Sequence, residues 1–236
     1  MNLILLHPDD GIDGAGRVRL RGRRLQHVLA VHRAAVGDEL RLGLLGGDIG
    51  VGRVLQLTPE LLELEVRLDQ APPAPLPVTL ILALPRPKVL RRVLRTASAM
   101  GVKRLVLLNA RRVEKSYWQS PYLEPFAIDE QLQLGLEQAR DTVLPDVVLR
   151  PLFKPFVEDE LPALSRGTLP LVAHPGAAAP CPRSVERLVT LAIGPEGGFI
   201  PYEIDLLVRC GFTPVNLGER ILSTETAVPA LLARLF

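Results

Sequence analysis

The stretch Leu188–Pro201 reads LVTLAIGPEGGFIP and decides the fold class of this chain. Its first six residues form an apolar run of the length of a buried β-strand, and Pro201 suits the first position of a following helix. The turn between them holds three glycines and one proline within five residues, so main-chain groups can approach a ligand closely. It lacks the Gly-Lys-Ser/Thr of a phosphate-binding loop and does not fit the dinucleotide fingerprint. The pattern predicts either a ligand-binding loop or a plain turn from strand to helix.

Two other loops follow predicted strands in the same way. One is Leu171–Gly176, and the other is Leu217–Ala227, which reads LGERILSTETA. In the second loop, Ser223 or Thr224 could simply cap the last helix. Three strand ends with exposed main chain would form a pocket that suits a neutral or cationic adenosine cofactor better than a triphosphate.

Strand and helix patterns alternate from residue 78 onward. The predicted strands are Val78–Leu84, Arg104–Leu108, Val147–Leu149, Leu169–Ala173, Leu188–Ile193 and Pro214–Leu217. The predicted helices are Val89–Ala97, Ile128–Ala139, Pro201–Cys210 and Thr224–Phe236, the last broken early by Pro229. This alternation indicates an α/β fold with a mostly parallel sheet, in which ligands bind at the carboxyl ends of strands.

A proline-rich segment, residues 71–77, separates this region from the first 70 residues. It holds four prolines in six residues, which forbids a helix and favours a short, stiff connection between domains. Upstream, the pattern predicts a helix over Arg23–Arg33 and strands over Glu39–Leu44, Ile49–Leu57 and Leu61–Leu68. Residues 1–70 therefore form a small β-rich domain, barrel-like because so short a sheet must close or be covered.

The net charge of +2 conceals one strongly basic segment. Residues 71–115 carry ten basic groups and one acidic group, whereas residues 1–70 carry nine and ten, and residues 116–236 carry nine and fifteen. This asymmetry suits an anionic partner such as nucleic acid, although a solvated helix face paired with acids would give the same count. The alternating Arg17, Arg19, Arg21 and Arg23 would share one side of an extended strand, either to meet phosphates or to protect a sheet edge.

Composition excludes several classes of protein. Apolar residues make up 47% and charged residues 23%, which is typical of soluble globular chains and not of disordered ones. No apolar run approaches the length of about 18 residues that a membrane span needs, and the N-terminus does not resemble a secretory signal. Cys181 and Cys210 are too few for a disulfide scaffold or a zinc site and suit small buried positions. We expect a cytoplasmic protein without a metal or a membrane partner.

The residues Ile193–Phe199, followed about twenty residues later by Leu217–Ala227, resemble the RsmE family of ribosomal RNA methyltransferases. Each motif is quite specific to that family, and the order and spacing of the two motifs together are highly specific. Weaker similarity extends to Leu25–Leu29, Ala97–Val102 and the pair Glu137-Gln138.

The resemblance implies a PUA-like RNA-binding β-barrel over residues 1–70, the linker 71–77, and a SPOUT methyltransferase domain over residues 78–236 with a C-terminal trefoil knot. It further implies a homodimer that binds S-adenosylmethionine in the knot. The reaction implied is methylation of N3 of a uridine in small-subunit (16S) ribosomal RNA, presented as free RNA or as a ribosomal particle. By motif position, the cofactor contacts would be Ala173, His174, Gly194, Pro195, Glu196, Gly197, Gly198, Leu217, Gly218, Ile221, Leu222, Thr224 and Ala227.

One departure from the family pattern concerns catalysis. Ser223 stands where the family usually has an arginine, so a cation is missing from its usual place, and Arg140 or Arg220 would have to substitute. We expect Arg220, beside the cofactor loop, to act at the transferring centre, and His174 to be a wall of the pocket. The expected RNA contacts are Arg17, Arg19, Arg21, Arg23, Arg24, Arg86, Lys88, Arg91, Arg92, Arg111 and Arg112. Two alternatives remain: a ribose 2′-O methyltransferase on the same fold, or an RNA-binding relative that has lost catalysis.

Overall fold

The proline-rich segment contains the boundary between the two units of the structure. The computed structural model describes residues 2–236. Unit 1 comprises the chain up to Ala74 together with Gln133–Leu144, and unit 2 comprises Pro75–Leu132 and Pro145–Phe236. The predicted second domain, residues 78–236, includes residues 133–144, which in the structure pack with unit 1.

Unit 1 is built on one five-stranded sheet. Its strands are β1 (Ile4–Leu6), β2 (Arg17–Leu20), β3 (Glu39–Leu44), β4 (Ile49–Leu57) and β5 (Leu62–Gln70), in the order β1-β3-β4-β5-β2. β1 pairs with β3 in parallel, and the other pairs are antiparallel. Helix α1 (Gly22–His27) continues into a π-helical turn over Val28–His32. The predicted bounds of β3 and β4 match the structure, whereas β1 is too short to give a sequence pattern.

The expected row of four arginines on one strand is wrong. β2 ends at Leu20, where Gly22, with a φ of 64°, turns the chain into α1. Arg17 and Arg19 are exposed on β2, whereas Arg21 precedes the helix and Arg23 lies within it. A positive φ is inexpensive only for glycine, so this one residue ends the strand after two of the four arginines.

Unit 2 is built on a six-stranded, wholly parallel sheet. Its strands are β6 (Val78–Ala83), β7 (Arg104–Leu108), β8 (Asp146–Arg150), β9 (Leu169–Ala173), β10 (Val189–Ile193) and β11 (Thr213–Val215), in the order β11-β9-β10-β6-β7-β8. Each neighbouring pair is parallel. The four residues Leu191, Ala192, Leu80 and Leu82 are fully buried, as the apolar runs of a sheet covered on both faces require. The prediction of a parallel α/β fold is confirmed.

Helices lie between these strands and after the last of them. They are α2 (Pro87–Ala99), α3 (Pro125–Ala139), α4 (Phe153–Pro155), α5 (Leu161–Leu164), α6 (Pro201–Arg209) and α7 (Thr224–Leu235), with a π-helical turn over Phe156–Glu160 between α4 and α5. The helical segment 153–164 is absent from the sequence prediction. The predicted early break of α7 at Pro229 is wrong, since the helix continues to Leu235. Proline removes only one main-chain donor there, and the buried Val228, Leu231 and Leu232 hold the helix against the protein.

Two kinds of feature are absent from the part of the chain that the structure describes. Within residues 2–236, no helix has both the length and the apolar character to cross a membrane. In the same part of the chain, no cluster of three or more His, Cys, Asp or Glu side chains is arranged to hold a metal ion. Cys181 is buried and Cys210 partly buried; both are free thiols, and burial raises the pKa of each.

Candidate active site

The carboxyl ends of β9, β10 and β11 meet at one edge of the sheet in unit 2. We name the segments that follow these strands the β9 loop (residues 174–176), the β10 loop (residues 194–200) and the β11 loop (residues 216–223). Together with α7 they enclose a cleft of about 650 Å³, open solvent at its mouth included. Small-molecule sites often occur at this carboxyl edge of parallel sheets.

Twelve of the thirteen residues predicted to contact a cofactor line this cleft. They are Ala173 and His174 from the end of β9 and its loop, Gly194, Pro195, Glu196 and Gly198 from the β10 loop, and Leu217, Gly218, Ile221, Leu222, Thr224 and Ala227 from the β11 loop and α7. Five further residues that were not predicted also line the cleft: Pro175, Ile193, Val215, Asn216 and Leu231. Of these five, only Asn216 could have been recognised from the sequence, because it is a polar residue that directly follows a strand.

The shape of the β10 loop depends on its glycines. The Gly198 N–H donates to the Pro195 carbonyl oxygen at 2.7 Å, and Gly198 has a φ of 73°, so the chain folds back within four residues. A Cβ atom on Gly194 would lie 2.9 Å from the main-chain nitrogen of Phe199. Both positions therefore require glycine, one for its backbone angle and one for the close approach of the returning chain.

Gly197 differs from the other predicted contacts. Its missing Cβ faces Arg112, whose Cδ would be 3.0 Å away, and the Arg112 guanidinium donates to the Gly197 carbonyl oxygen. Arg112, expected to contact RNA, therefore holds the outer side of the β10 loop.

Two carboxylates fix the β10 loop to the ends of neighbouring strands. Glu196 accepts a hydrogen bond from the main-chain N–H of Arg86 at 3.1 Å. Glu203, which is buried in the first turn of α6, accepts from the N–H of Ile200 at 2.9 Å and from the N–H of Arg111 at 2.7 Å. The loop is thus tied to the segments that follow β6 and β7, and its main-chain groups are held in place before any ligand binds.

One amide side chain joins the β11 loop to the residue that directly follows the β9 loop. Asn216 donates from Nδ2 to the Ala177 carbonyl at 2.7 Å and accepts at Oδ1 from the Gly218 N–H at 2.9 Å. Ser223 directly precedes α7, and its carbonyl accepts from the N–H groups of Thr226 and Ala227. Ser223 thus starts the helix through its main chain, while its hydroxyl lies 3.0 Å from the Thr226 hydroxyl.

Arg220 lines the cleft and is exposed. Among the described residues its guanidinium makes no hydrogen bond or ion pair, so its charge is available to a ligand. Arg140, the other candidate to replace the family arginine, belongs to unit 1 and follows α3 with a φ of 59°.

The residues expected to contact RNA have differing environments. In unit 2, Arg92 forms an ion pair with Glu225 at 3.0 Å, and Arg91 lies over the ring of Tyr122 at 4.9 Å from its centroid. Lys88 is exposed, as are Arg86, Arg92, Arg111 and Arg112. In unit 1, the side chains of Arg19, Arg23 and Arg24 pair with Glu63, Glu137 and Asp10, respectively, while Arg17 and Arg21 are exposed.

Comparison with known proteins identifies the family of this chain. Residues 72–236 match the model of a family described as RNA methyltransferase domain. The ribosomal RNA small subunit methyltransferase E of Treponema pallidum is 28% identical over 243 residues, covering 99% of this chain and 90% of that protein. The enzyme of the same name from Synechocystis is 27% identical, covering 92% and 72%.

A solved structure shares the fold. It is a ribosomal RNA small subunit methyltransferase E from Neisseria gonorrhoeae bound to S-adenosyl methionine, with a TM-score of 0.76, 21% identity, and coverage of 99% of this chain and 95% of that one. Because the family model covers well over half of the sequence, this chain belongs to the family of RNA methyltransferase domains, and its resemblance to RsmE enzymes is confirmed.

Proposed function

We propose that this protein transfers a methyl group from S-adenosylmethionine to N3 of a uridine in small-subunit ribosomal RNA. The observation that carries the proposal is the cleft in unit 2, where three separate loops bring together twelve of the thirteen expected cofactor contacts. Membership in an RNA methyltransferase family, and full-length relatives named ribosomal RNA small subunit methyltransferase E, support the same activity.

The residues present fit S-adenosylmethionine. Ile221 and Leu222 offer apolar surface for the adenine ring, while the glycines of the β10 loop leave main-chain groups accessible for hydrogen bonds. Among the described residues that line the cleft, the basic side chains are Arg220 and His174. The cleft therefore lacks the cluster of cations that a triphosphate would need. When bound, S-adenosylmethionine would supply an electrophilic methyl group on a sulfonium.

The chain itself contributes alignment and charge. The loops hold the acceptor in line with the methyl group, which converts an encounter in solution into a reaction between positioned atoms. Uracil N3 loses its proton to solvent and accepts the methyl group, and the Arg220 guanidinium stabilises the anion formed before transfer. N3 lies on the Watson–Crick edge, so the target base has to be unpaired or flipped out of its stack.

The finer architecture is part of the proposal. We infer a PUA-like RNA-binding barrel over residues 1–70, the linker 71–77, and a SPOUT domain over residues 78–236 with a C-terminal trefoil knot, acting as a cytoplasmic homodimer on free RNA or a ribosomal particle. The sheet order supports the SPOUT assignment, because β9 lies between β10 and β11 and brings their three loops to one cleft. The exposed Lys88 and Arg111, with Arg17 and Arg21 of unit 1, would contact phosphates.

One experiment tests the activity and the methylated atom together. The protein is incubated with methyl-labelled S-adenosylmethionine and with small-subunit RNA, free or assembled, and the digested nucleosides are identified by mass spectrometry. We expect N3-methyluridine, and we expect Arg220→Ala to lower the rate about a hundredfold while leaving cofactor binding unchanged. A 2′-O-methylated nucleoside would contradict the choice of atom. Absence of transfer despite measurable cofactor binding would indicate an RNA-binding relative without activity.

A further inference from the structure

A second cleft lies at the same edge of the sheet in unit 2, at the carboxyl ends of β7 and β8. It encloses about 1070 Å³, open solvent included, and the proposed reaction does not use it. Three aromatic and three basic side chains are among its lining residues, namely Trp118, Phe153, Tyr202, Arg111, Lys115 and Lys154.

The aromatic side chains are held in place but only partly covered. Trp118 is half-buried, and its indole N–H donates to the Asn109 side-chain oxygen at 3.0 Å. Phe153 packs against Phe199 with ring centroids 5.9 Å apart, and Tyr202 is 48% exposed. Aromatic faces that remain open on a rigid surface are suited to stacking against the bases of single-stranded nucleic acids.

The charge of the second cleft favours an anion. Arg111 and Lys115 are exposed, and within the described part of the chain neither side chain forms an ion pair. Lys154 is 3.8 Å from Glu158, one helical turn away, a contact too long and too exposed to neutralise it. Glu203, the carboxylate in the lining, is already occupied by two main-chain N–H groups. A ligand there would combine a flat ring with negative charge, as a nucleotide does.

The second cleft borders the candidate active site. Ile200, which lines the second cleft, ends the β10 loop whose earlier residues line the first, and Phe199 of that loop touches Phe153. β7 is two strands away from β10, or about 10 Å at the usual strand spacing. One strand of RNA can therefore occupy both clefts.

We propose that the second cleft binds an unstacked base of single-stranded RNA close to the methylated nucleotide, with the base against Trp118 and Tyr202 and the flanking phosphates on Lys115 and Lys154. The inference rests on the proposed function, because it takes the RNA in this cleft to be the substrate whose target uridine enters the first. It assigns recognition of the sequence around the target to unit 2.

The fluorescence of Trp118 provides the test, because Trp118 is the only tryptophan of the chain. The intact protein is titrated with a short single-stranded oligoribonucleotide without cofactor. We expect saturable quenching, a dissociation constant raised about tenfold by Tyr202→Ala, and near-normal binding by Tyr202→Phe, which keeps the ring. Lys115→Ala with Lys154→Ala should flatten the salt dependence of binding. The matched control is Arg166→Ala, which removes an exposed cation that precedes β9 at the opposite edge of the sheet. This variant should leave the dissociation constant and its salt dependence unchanged.

Three outcomes would overturn the inference: no quenching, equal quenching by a duplex of the same sequence, or equal quenching by inorganic phosphate alone. Methyl transfer and calorimetric cofactor binding separate this failure from failure of the proposed function. If Tyr202→Ala methylates RNA with the normal KM and fluorescence does not change, the second cleft is not an RNA site and the methyltransferase activity stands. If quenching occurs but no RNA is methylated, the proposed function fails and the RNA site stands.

Discussion

At the scale of single residues, the environment of each arginine decides whether it is free to contact RNA. Arg24 forms a two-pronged pair with Asp10, with one distance of 2.6 Å, and also donates to the Leu5 carbonyl. Arg23 pairs with Glu137, which is 114 positions away in the sequence. Charge counting cannot identify such partners, because they become neighbours only after folding. The structure thus gives Arg23 and Arg24 a role in holding unit 1 together.

The pair of Asp10 and Arg24 makes the stability of unit 1 depend on pH. Burial disfavours the Asp10 carboxylate, but hydrogen bonds from Arg24 and the His7 N–H, with the Arg24 charge, outweigh it and lower the Asp10 pKa. A lowered pKa in the folded state stabilises the protein above the unfolded value of about 3.9, and this contribution is lost as the pH falls through the folded value.

We expect Asp10→Asn to lower the free energy of unfolding at pH 7 by about 2 kcal/mol, because it removes a charged hydrogen-bond acceptor. Urea denaturation at pH 7, 5 and 3 measures the effect. The difference from the unmodified protein should shrink at pH 3, and Asp9→Asn, at the exposed neighbouring carboxylate, should change little at any pH. An equal loss at all three pH values would show that the Asp10 charge is not responsible.

At the scale of elements, local pattern predicts most of this structure. The strands β3, β4, β7 and β9 have the bounds that the sequence pattern predicts, and the β10 loop is recognisable by its glycine content. The helical segment 153–164 is missed because Pro155 and Pro162 interrupt its periodicity, and its π-helical turn shifts the register of its apolar residues. The contact between Gly197 and Arg112 has no signal in the sequence, because the two residues lie 85 positions apart in the chain.

The β10 loop provides the prediction at this scale. Gly194→Ala places a Cβ 2.9 Å from the Phe199 nitrogen, a contact that the main chain can relieve only by opening the loop. We expect cofactor affinity, measured by isothermal titration calorimetry, to fall at least about tenfold, the equivalent of about 1.4 kcal/mol. Gly14→Ala is the control, since a Cβ there meets nothing within 4 Å. Unchanged affinity in Gly194→Ala would show that the cofactor binds elsewhere.

At the scale of the whole molecule, strand order and charge distribution carry the information that sequence patterns lack. Nothing in the periodicity of β9, β10 and β11 says that β9 lies between the other two, because that order depends on pairing between distant segments. The basic segment 71–115, in contrast, can be identified by counting the basic and acidic residues along the sequence. The structure shows that part of its charge is used internally, since Arg92 pairs with Glu225 and Arg112 with the Gly197 carbonyl.

The remaining exposed cations should give RNA binding a measurable salt dependence. We expect the logarithm of the association constant to fall linearly with the logarithm of the salt concentration, because bound phosphates release counterions. Lys88→Ala should reduce the slope by about one. Arg104→Ala, at the amino end of β7, should leave it unchanged. Filter binding or fluorescence anisotropy at salt concentrations from about 50 to about 300 mM measures the slopes for the Lys88→Ala and Arg104→Ala variants. Identical slopes for Lys88→Ala and the unmodified protein would exclude a phosphate contact at Lys88.

The discontinuity of unit 1 has a consequence for the order of events during synthesis. Leu3, Leu5 and Ile49 are covered by Leu136, which belongs to the segment 133–144, and the Glu137 carbonyl accepts hydrogen bonds from the N–H groups of Asn2 and Leu3. A nascent chain that has emerged only as far as residue 74 therefore carries uncovered leucines, and about 70 further residues must follow before unit 1 is complete at Leu144. Unit 1 can therefore finish folding only after residues 75–132, which belong to unit 2, have been synthesised.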